Sequence, residues 1–235
     1  MQLGTIDYSY DGTRMILDKA DLELDPERLN VVIGLNGSGK STLFDVVAGA
    51  LPADGFHPPF ERAEILYQLQ QAPLPPMLKG KDLVRLILKS DRTEPFRSLW
   101  DTYVASLREQ ERSRLERLQD LRLGQMSAGE KRWLVIRTVC HLDRTLYIFD
   151  EPTVGLDPES RRFVVEAIGA LLDRQKIVLL STHILHEVAH LPCKMHFLHH
   201  GKIVYSGSYH AFIARYETDN PDIAFERFLS EQPTA

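Results

Sequence analysis

The chain has 235 residues, 43% of them hydrophobic and 26% charged, an ordinary composition for one large globular domain or a core with a smaller subdomain. No apolar run approaches the ~18 residues of a membrane span, and the first residues do not form a secretory signal, so we expect a cytoplasmic protein. The net charge of -5 argues against nucleic acid as the main partner, and the two cysteines are predicted to be reduced and unpaired.

The first 24 residues predict two or three short antiparallel strands. Tyr8 and Tyr10 have the spacing of one strand face, where the ring of either residue can stack on a purine. Two half-buried strand tyrosines account for the spacing equally well. A turn at Asp25 and Pro26 then precedes an apolar strand over residues 30–33.

A glycine-rich segment follows that strand, precedes a helix and fits the phosphate-binding pattern G-x-x-x-x-G-K-[ST]. Glycine lets the backbone turn its N–H groups toward an anion at the helix N-terminus. The lysine adds a positive charge for the β- and γ-phosphates, and the following hydroxyl is placed for Mg²⁺. The predicted phosphate-binding residues are Gly34, Asn36, Gly37, Ser38, Gly39, Lys40, Ser41 and Thr42.

A proline-rich loop and a strand over residues 63–67 come next, and Gln70 follows that strand closely. An amide at the end of a core strand can coordinate a metal or hold a water, although a polar loop explains the same residue. The helical periodicity further on predicts a small helical subdomain over residues 78–140, inserted in an α/β core, with Pro95 and Trp100 between two of its helices.

Ser127 precedes a strongly apolar helical face and Glu130 stands three residues later, which is the pattern of a capping box. A serine cap together with Gly129 at a helix start also exposes N–H donors to an anion. The two roles are compatible, so the segment predicts a second phosphate site.

An apolar strand over residues 145–149 ends in Asp150 and Glu151. Buried carboxylates are costly unless they have a partner such as Mg²⁺. We expect Asp150 to hold the ion and Glu151 to orient or deprotonate an attacking water. Behind a phosphate-binding loop, this pair indicates a catalytic site.

His183 ends the next apolar strand, where its imidazole can donate a hydrogen bond to a γ-phosphate. His183, His186 and His190 also have the spacing of a metal site on one helical face, but no carboxylate or thiol is placed with them, so the pattern does not favour such a site. Residues 195–205 are predicted to form a hairpin, followed by a helix that Ser208 caps.

The order of these motifs resembles that of the ATP-binding cassette of ABC transporters, over essentially the whole chain. The motifs are the phosphate-binding loop, a glutamine loop, a Ser-x-Gly before a helix, Asp-Glu, Gly-Leu-Asp and a terminal histidine. The resemblance implies a single domain, 1–235, with an α/β P-loop NTPase core whose mostly parallel sheet has flanking helices. The core and an N-terminal antiparallel β subdomain take 1–77 and 141–235, the inserted α-helical signature subdomain takes 78–140, and the C-terminal tail takes 218–235.

The resemblance also implies three roles for residues of the ATP site: catalysis, Mg²⁺ binding and stacking on adenine. They are Glu151, His183 and Gln70 for catalysis, Ser41, Gln70 and Asp150 for Mg²⁺, and Tyr10, with Tyr8 as the alternative, for adenine.

A second group of residues resembles the parts of the family that act across a dimer. Ser127, Ala128, Gly129 and Glu130 correspond to the signature that contacts the γ-phosphate of ATP bound on the other subunit. Asp157 corresponds to the aspartate at the dimer seam. The signature usually reads Leu-Ser-Gly-Gly-Gln, so Glu130 places a carboxylate where a neutral amide is common.

The implied function is that of an ATP-binding and ATP-hydrolysing subunit that dimerises around two MgATP and drives transport through a separate membrane permease. The implied partners are that permease and a second copy of the chain or a homologous ATPase subunit, on the cytoplasmic face of the cell membrane. The compact chain favours export over import. The alternatives are a soluble ABC-type ATPase that powers a cytosolic assembly or other non-transport machine, and a regulatory nucleotide-binding module without turnover.

Overall fold

The computed structural model describes residues 1–70, 73–90, 94–185, 188–189, 191–218 and 220–231, with the backbone alone at position 222. The described β-strands are β1 (Gln2–Ser9), β2 (Met15–Glu23), β3 (Leu29–Ile33), β4 (Ile65–Gln68), β5 (Leu146–Phe149), β6 (Ile177–Thr182), β7 (Cys193–His199) and β8 (Lys202–Ser208). The described α-helices are α1 (Lys40–Val47), α2 (Gly80–Leu88), α3 (Phe96–Ser106), α4 (Glu109–Leu118), α5 (Ala128–Val139), α6 (Pro158–Gly169), α7 (Tyr209–Arg215) and α8 (Pro221–Ser230). None of these described helices is long and apolar enough to cross a membrane.

The chain divides into two compact units. The first comprises Met1–Gln70, Thr145–Pro152 and Leu172–Ala235, and the second comprises Gln71–Arg144 and Thr153–Leu171. The predicted helical subdomain falls inside the second unit. That unit also contains α6, which the sequence prediction assigned to the core.

The first unit contains a six-stranded sheet and the separate two-stranded β1–β2 hairpin. The strand order of the large sheet is β4-β5-β6-β3-β7-β8. Its pairings from β4 through to β7 are parallel, and β8 pairs antiparallel with β7. The structure therefore confirms the predicted mostly parallel sheet with an N-terminal antiparallel β element.

Burial explains why the sequence forms the central strands. A parallel strand covered on both faces is a continuous apolar run, and every residue of β3 and β5 is buried. Ile33 at the end of β3 lies opposite Thr182 of β6, and Phe149 at the end of β5 lies opposite Leu180. The segments that follow β3, β5 and β6 therefore leave the sheet at the same edge, where ligands bind in open α/β sheets.

The core of the first unit is a cluster of buried apolar side chains from the β1–β2 hairpin, α1 and the central strands. Its fully buried members include Ile6, Leu17, Leu22, Leu24 and Phe44. Because α1 begins directly after the glycine-rich segment, burial of its apolar face fixes where that segment lies.

The predicted C-terminal hairpin and its following helix are both present. β7 and β8 pair around a turn at His200 and Gly201, and the Ser208 hydroxyl accepts a hydrogen bond of 3.2 Å from the Ala211 N–H at the start of α7. Six aromatic side chains of β7, β8, α7 with its C-cap residue, and α8 pack against one another: Phe197, Tyr205, Phe212, Tyr216, Phe225 and Phe228. The predicted tail, 218–235, thus contributes α8 to this aromatic cluster.

One helix of the second unit was missed. The sequence prediction placed Pro95 and Trp100 between two helices, whereas Pro95 is the N-cap of α3 and Trp100 lies within that helix. Leu99 and Tyr103 form the buried face of α3, and the Tyr103 hydroxyl accepts a hydrogen bond of 3.2 Å from Thr138 of α5. Leu99, Tyr103 and Leu107 recur every four residues, which was the available helical signal.

A histidine lies in the sheet of the first unit. His196 of β7 is fully buried, its Nδ1 is 2.9 Å from the Ser206 hydroxyl, and its Nε2 has no hydrogen-bond partner among the described residues. Burial lowers the pKa of His196 from 6.5 to about 4, and the nearby Lys194 ammonium adds to the effect. The folded protein therefore contains the neutral imidazole.

We predict that His196 makes folding sensitive to mild acid. The unfolded chain binds this proton more readily, so the free energy of unfolding falls as the pH drops from about 6.5 toward about 4 and then stops falling. The full loss is about 3 kcal/mol. In His196→Asn, urea-unfolding midpoints should depend less on pH in this window than in the wild type.

His57→Asn is the matched control, because His57 is exposed. It should keep the pH dependence of the wild type. An unchanged dependence in His196→Asn would contradict the assignment.

Candidate functional site

The predicted phosphate-binding segment lies between β3 and α1. Gly39 has φ 103°, a left-handed conformation that glycine adopts without strain, and it precedes the first residue of α1. No side chain caps α1 and its first turn contains no acidic residue. The first N–H groups of α1 thus donate no hydrogen bond to a capping side chain, and no acidic residue of the first turn competes for them, which suits an anion.

A buried ammonium group lies inside this segment. Lys40 is only 6% exposed, and its Nζ donates to the carbonyls of Gly34 at 2.9 Å and Leu35 at 3.3 Å. The Ser38 hydroxyl is buried without a hydrogen-bond partner among the described residues. Asn36 is exposed at the tip of the loop. A buried cation and an unpaired buried hydroxyl are the groups that a phosphate would satisfy.

Asp150 lies directly after β5 and is held by two hydroxyls. It is 3% exposed, its Oδ2 accepts a hydrogen bond of 2.6 Å from Ser41, and its Oδ1 accepts one of 2.6 Å from Ser181. The sequence prediction missed Ser181, although a serine directly after four apolar residues of a core strand was a usable signal.

The hydroxyl of Ser41 and the carboxylate of Asp150 fit Mg²⁺, which prefers hard oxygen donors and usually takes its other ligands from water and substrate phosphate. In the described part of the chain, no three histidine, cysteine, aspartate or glutamate side chains gather as a metal site. A magnesium ion bound together with a phosphate is the metal that this donor set suits.

Glu151 receives contacts from three predicted site residues. The Gln70 Nε2 donates a hydrogen bond of 2.8 Å to Oε2 of Glu151. Oε1 of Glu151 lies 3.5 Å from the Lys40 ammonium and 3.7 Å from Nδ1 of His183. The carboxylate is nearly buried, whereas the His183 side chain is 47% exposed. The structure thus gathers Gln70, Lys40 and His183 around one carboxylate.

The backbone of Glu151 adopts an uncommon conformation. Its φ is 44°, in the left-handed region that non-glycine residues rarely enter, and its N–H donates to the Ser181 hydroxyl at 2.8 Å. Ser181 therefore binds the side chain of Asp150 and the main chain of Glu151 together. Strain of this kind is typical of functional sites.

Acidic groups concentrate charge beside Asp150. Burial raises the pKa of the Asp45 carboxyl in α1, and repulsion from Asp150 adds to the shift. Burial likewise raises the pKa of the neighbouring Tyr67 phenol, and the charges of Asp45 and Asp150 reinforce it. A cation bound at Asp150 would relieve this repulsion.

Tyr10 and Tyr8 are in different environments. Tyr10 lies in the turn after β1, which corrects the prediction that both residues share a strand face. It is 63% exposed, and its hydroxyl is 3.2 Å from that of Thr42 in α1. Tyr8 is partly buried against the core, and the two rings meet edge to face at 5.0 Å. Tyr10 thus has the more accessible ring.

In the second unit, the predicted capping box is present. The Ser127 hydroxyl accepts a hydrogen bond of 3.1 Å from the Glu130 N–H, and a carboxylate oxygen of Glu130 accepts one of 2.9 Å from the Ser127 N–H. Ala128 is the first residue of α5. The capping box thereby satisfies the N–H groups of Ser127 and Glu130 within the chain.

Gly129 packs against the start of α6. Asp157 caps that helix, because its Oδ1 accepts a hydrogen bond of 2.9 Å from the Ser160 N–H, and this bond lowers the pKa of Asp157. A Cβ atom on Gly129 would collide with the Ser160 hydroxyl and lie 2.9 Å from Ser160 Cβ and 3.2 Å from an Asp157 carboxylate oxygen. Glycine is therefore required here for close packing.

A protein-family model described as ABC transporter matches residues 17–154, more than half of the chain. The chain belongs to the ABC transporter family. It is 28% identical to the energy-coupling factor transporter ATP-binding protein EcfA1 of Thermotoga maritima over 95% of this chain and 87% of that protein. It is also 28% identical to Nod factor export ATP-binding protein I of Sinorhizobium fredii over 91% of this chain and 64% of that protein. The chain also matches Nod factor export ATP-binding protein I of a Rhizobium species, and this match covers 33% of that protein.

Solved structures show the same fold. A structure of the ATP-binding subunit of an ABC transporter superposes with a TM-score of 0.80 at 23% identity, over 96% of this chain and 98% of that one. A dimeric ATP-binding cassette in a post-hydrolysis state, bound to ADP and Pi, superposes with a TM-score of 0.70 at 18% identity, over 88% of this chain and 97% of that one. The predicted fold class and family resemblance are thus confirmed.

The predicted site residues of this ABC family member divide between the two units. The first unit contains the residues of the phosphate loop and the glutamine loop, the two carboxylates and the terminal histidine. The second unit contains the signature and Asp157. His186 and His190, the other members of the disfavoured metal site, lie outside the described residues. The functional roles of all these residues remain predictions.

We predict that Gly129→Ala destabilises the second unit, because the added methyl group collides with Ser160. Overpacking typically costs about 1–3 kcal/mol. In a Ser160→Gly background, which removes the colliding atoms, the same substitution should cost clearly less. Urea unfolding of the four proteins in this double-mutant cycle measures the difference. An equal cost in both backgrounds would refute the packing role.

Proposed function

We propose that this chain is the ATP-binding and ATP-hydrolysing subunit of an ABC transporter. The proposal rests chiefly on Glu151, whose carboxylate lies between the Gln70 amide and the Lys40 ammonium, with His183 3.7 Å away. A carboxylate there can accept a proton from a water that attacks a phosphate bound at Lys40. The relatives named above support the proposal, because each is an ATP-binding protein of a transporter.

ATP binding uses groups that the loop presents. Lys40 transfers its hydrogen bonds from the loop carbonyls to the β- and γ-phosphates, and the uncapped N-terminus of α1 binds the same anion. Tyr10 offers an exposed ring to adenine. Ser41 and Asp150 hold Mg²⁺, which when bound neutralises phosphate charge.

Hydrolysis uses the groups around Glu151. Glu151 takes the proton of the attacking water, Gln70 holds the carboxylate in place, and His183 donates a hydrogen bond to the γ-phosphate. Ser181 fixes the backbone that carries both carboxylates. These roles give a positioned base rather than an inert binding site.

Two copies of the chain, or this chain and a homologous subunit, bind head to tail around two ATP molecules. Ser127 and Gly129 of each copy contact the γ-phosphate held by the other, and Asp157 lies at the seam. Nucleotide binds the closed pair better than the open pair, so it shifts that equilibrium toward closure. Hydrolysis removes the bridging phosphate and allows the pair to open.

Opening drives a separate membrane permease that docks over residues 70–83 and holds the chain on the cytoplasmic face of the membrane. Met77 in this stretch is 66% exposed, so its apolar side chain is available to a docked partner. Export is the favoured direction.

Glu151→Gln is expected to lower ATP turnover by about 10² to 10⁴, because it removes the proton acceptor and preserves the size of the side chain. Binding of MgATP, measured by calorimetric titration, should remain. Lys40→Ala should instead lose nucleotide binding, since it removes the buried cation.

Glu27→Gln, which changes an exposed carboxylate, is the matched control and should retain turnover. Normal turnover in Glu151→Gln would remove Glu151 from the mechanism, and normal ATP affinity in Lys40→Ala would contradict the assigned phosphate loop.

The permease is tested by expressing the chain together with the products of its neighbouring genes. We expect the chain to purify from the membrane fraction with a hydrophobic multispan protein, and Met77→Asp to reduce that recovery. Ile223→Asp is the control, because Ile223 is an exposed apolar residue outside the docking stretch. Recovery of the wild type from the soluble fraction alone would contradict the transporter role.

A further inference from the structure

Glu130 places a negative charge at the N-terminus of α5. It lies three residues after the capping Ser127 and one after Gly129. A helix N-terminus attracts anions through its N–H groups and its dipole, and a carboxylate in the first turn offsets that attraction. In the proposed dimer, Ser127 and Gly129 face a γ-phosphate, so an uncompensated Glu130 would repel the ligand.

The structure compensates this charge with Arg117 of α4. The Arg117 guanidinium lies 2.6 Å from Oε1 of Glu130, while the other carboxylate oxygen accepts the Ser127 N–H. The hydrogen bond from Ser127 and the ion pair with Arg117 lower the pKa of Glu130, so the carboxyl group is ionised. Its charge is therefore cancelled by a partner and not by protonation.

The fold aligns Arg117 with Glu130. Glu111 precedes Arg117 on α4. It forms an ion pair of 2.9 Å with Arg137 near the end of α5. Between these pairs, the Arg114 guanidinium lies 5.2 Å from the Trp133 ring centroid. In these three contacts the residue number increases along α5 as it decreases along α4, so the two helices are antiparallel. This arrangement holds Arg117 at the start of α5.

We propose that Arg117 is a positioning residue of the signature, which neutralises Glu130 and so keeps the N-terminus of α5 attractive to the phosphate of ATP. This inference rests on the proposed function, in which the signature contacts a nucleotide. It assigns a role to a residue outside the signature and explains how a signature that ends in a carboxylate binds an anion. Arg117 is 56% exposed, so its ion pair contributes little to folding.

The experiment measures MgATP-driven pairing of the purified chain by analytical ultracentrifugation, with Glu151→Gln in every sample to prevent turnover. Arg117→Gln should raise the MgATP concentration needed for half-maximal pairing roughly tenfold, because it leaves a carboxylate opposite the phosphate. Once Glu130→Gln is also present, Arg117→Gln should change that concentration less than about twofold, since no charge remains to be compensated.

Two further variants separate charge from structure. Arg117→Lys retains the positive charge and should restore most of the pairing. Asp120→Asn breaks an ion pair with Lys81 of similar length, 2.7 Å, elsewhere in the second unit, and it should leave pairing unchanged. Raising the salt concentration should shrink the effect of Arg117→Gln, because the repulsion is screened.

The inference is overturned if Arg117→Gln changes the MgATP concentration for half-maximal pairing equally with and without Glu130→Gln. It is also overturned if Arg117→Gln changes that concentration in neither background. A failure of the Glu151→Gln parent itself to pair with MgATP would overturn the proposed function, and this inference with it. The two failures are therefore distinguishable.

Discussion

Two adjacent carboxyl groups, Asp150 and Glu151, are buried at the edge of the parallel sheet, and neighbouring segments of the first unit supply hydrogen-bond donors and a cation to them. Uncompensated buried charge is strongly unfavourable. Ser41 and Ser181 bind one carboxylate, and the other lies beside the Gln70 amide and the Lys40 ammonium. These partners come from the start of α1 after β3, from the segment after β4 and from the end of β6, so the sheet topology determines the site.

The second unit satisfies its polar groups at two helix starts instead. Ser127 and Glu130 cap α5, and Asp157 caps α6, which packs against α5 at Gly129. The residues that the family resemblance assigns to the γ-phosphate and to the dimer seam thus also hold these two helices in position. Rigid helix starts present N–H groups in a fixed geometry, a requirement of any site that must recognise phosphate.

Contiguous motifs made much of this molecule predictable. The phosphate loop, the capping box and the Asp-Glu pair are each local in sequence, because backbone turn, charge and hydroxyl must lie together to bind one ligand. Ser181, Ser160 and Arg117 were missed, since each acts on a residue that is distant along the chain. Helix α3 was also missed, although Pro95 does not interrupt it, because a proline at the N-cap lies outside the helix interior.

The left-handed backbone of Glu151 has a consequence for which residues this position tolerates. Glycine would relax the local strain, and β-branched side chains would increase it, so backbone conformation and chemistry select for different residues. A chain with glycine at this position would lose the strain and, with it, the carboxylate that lies beside the Lys40 ammonium and that the proposed mechanism uses as proton acceptor. The proposed base therefore requires a strained turn, and selection for a relaxed backbone at this residue would remove that base.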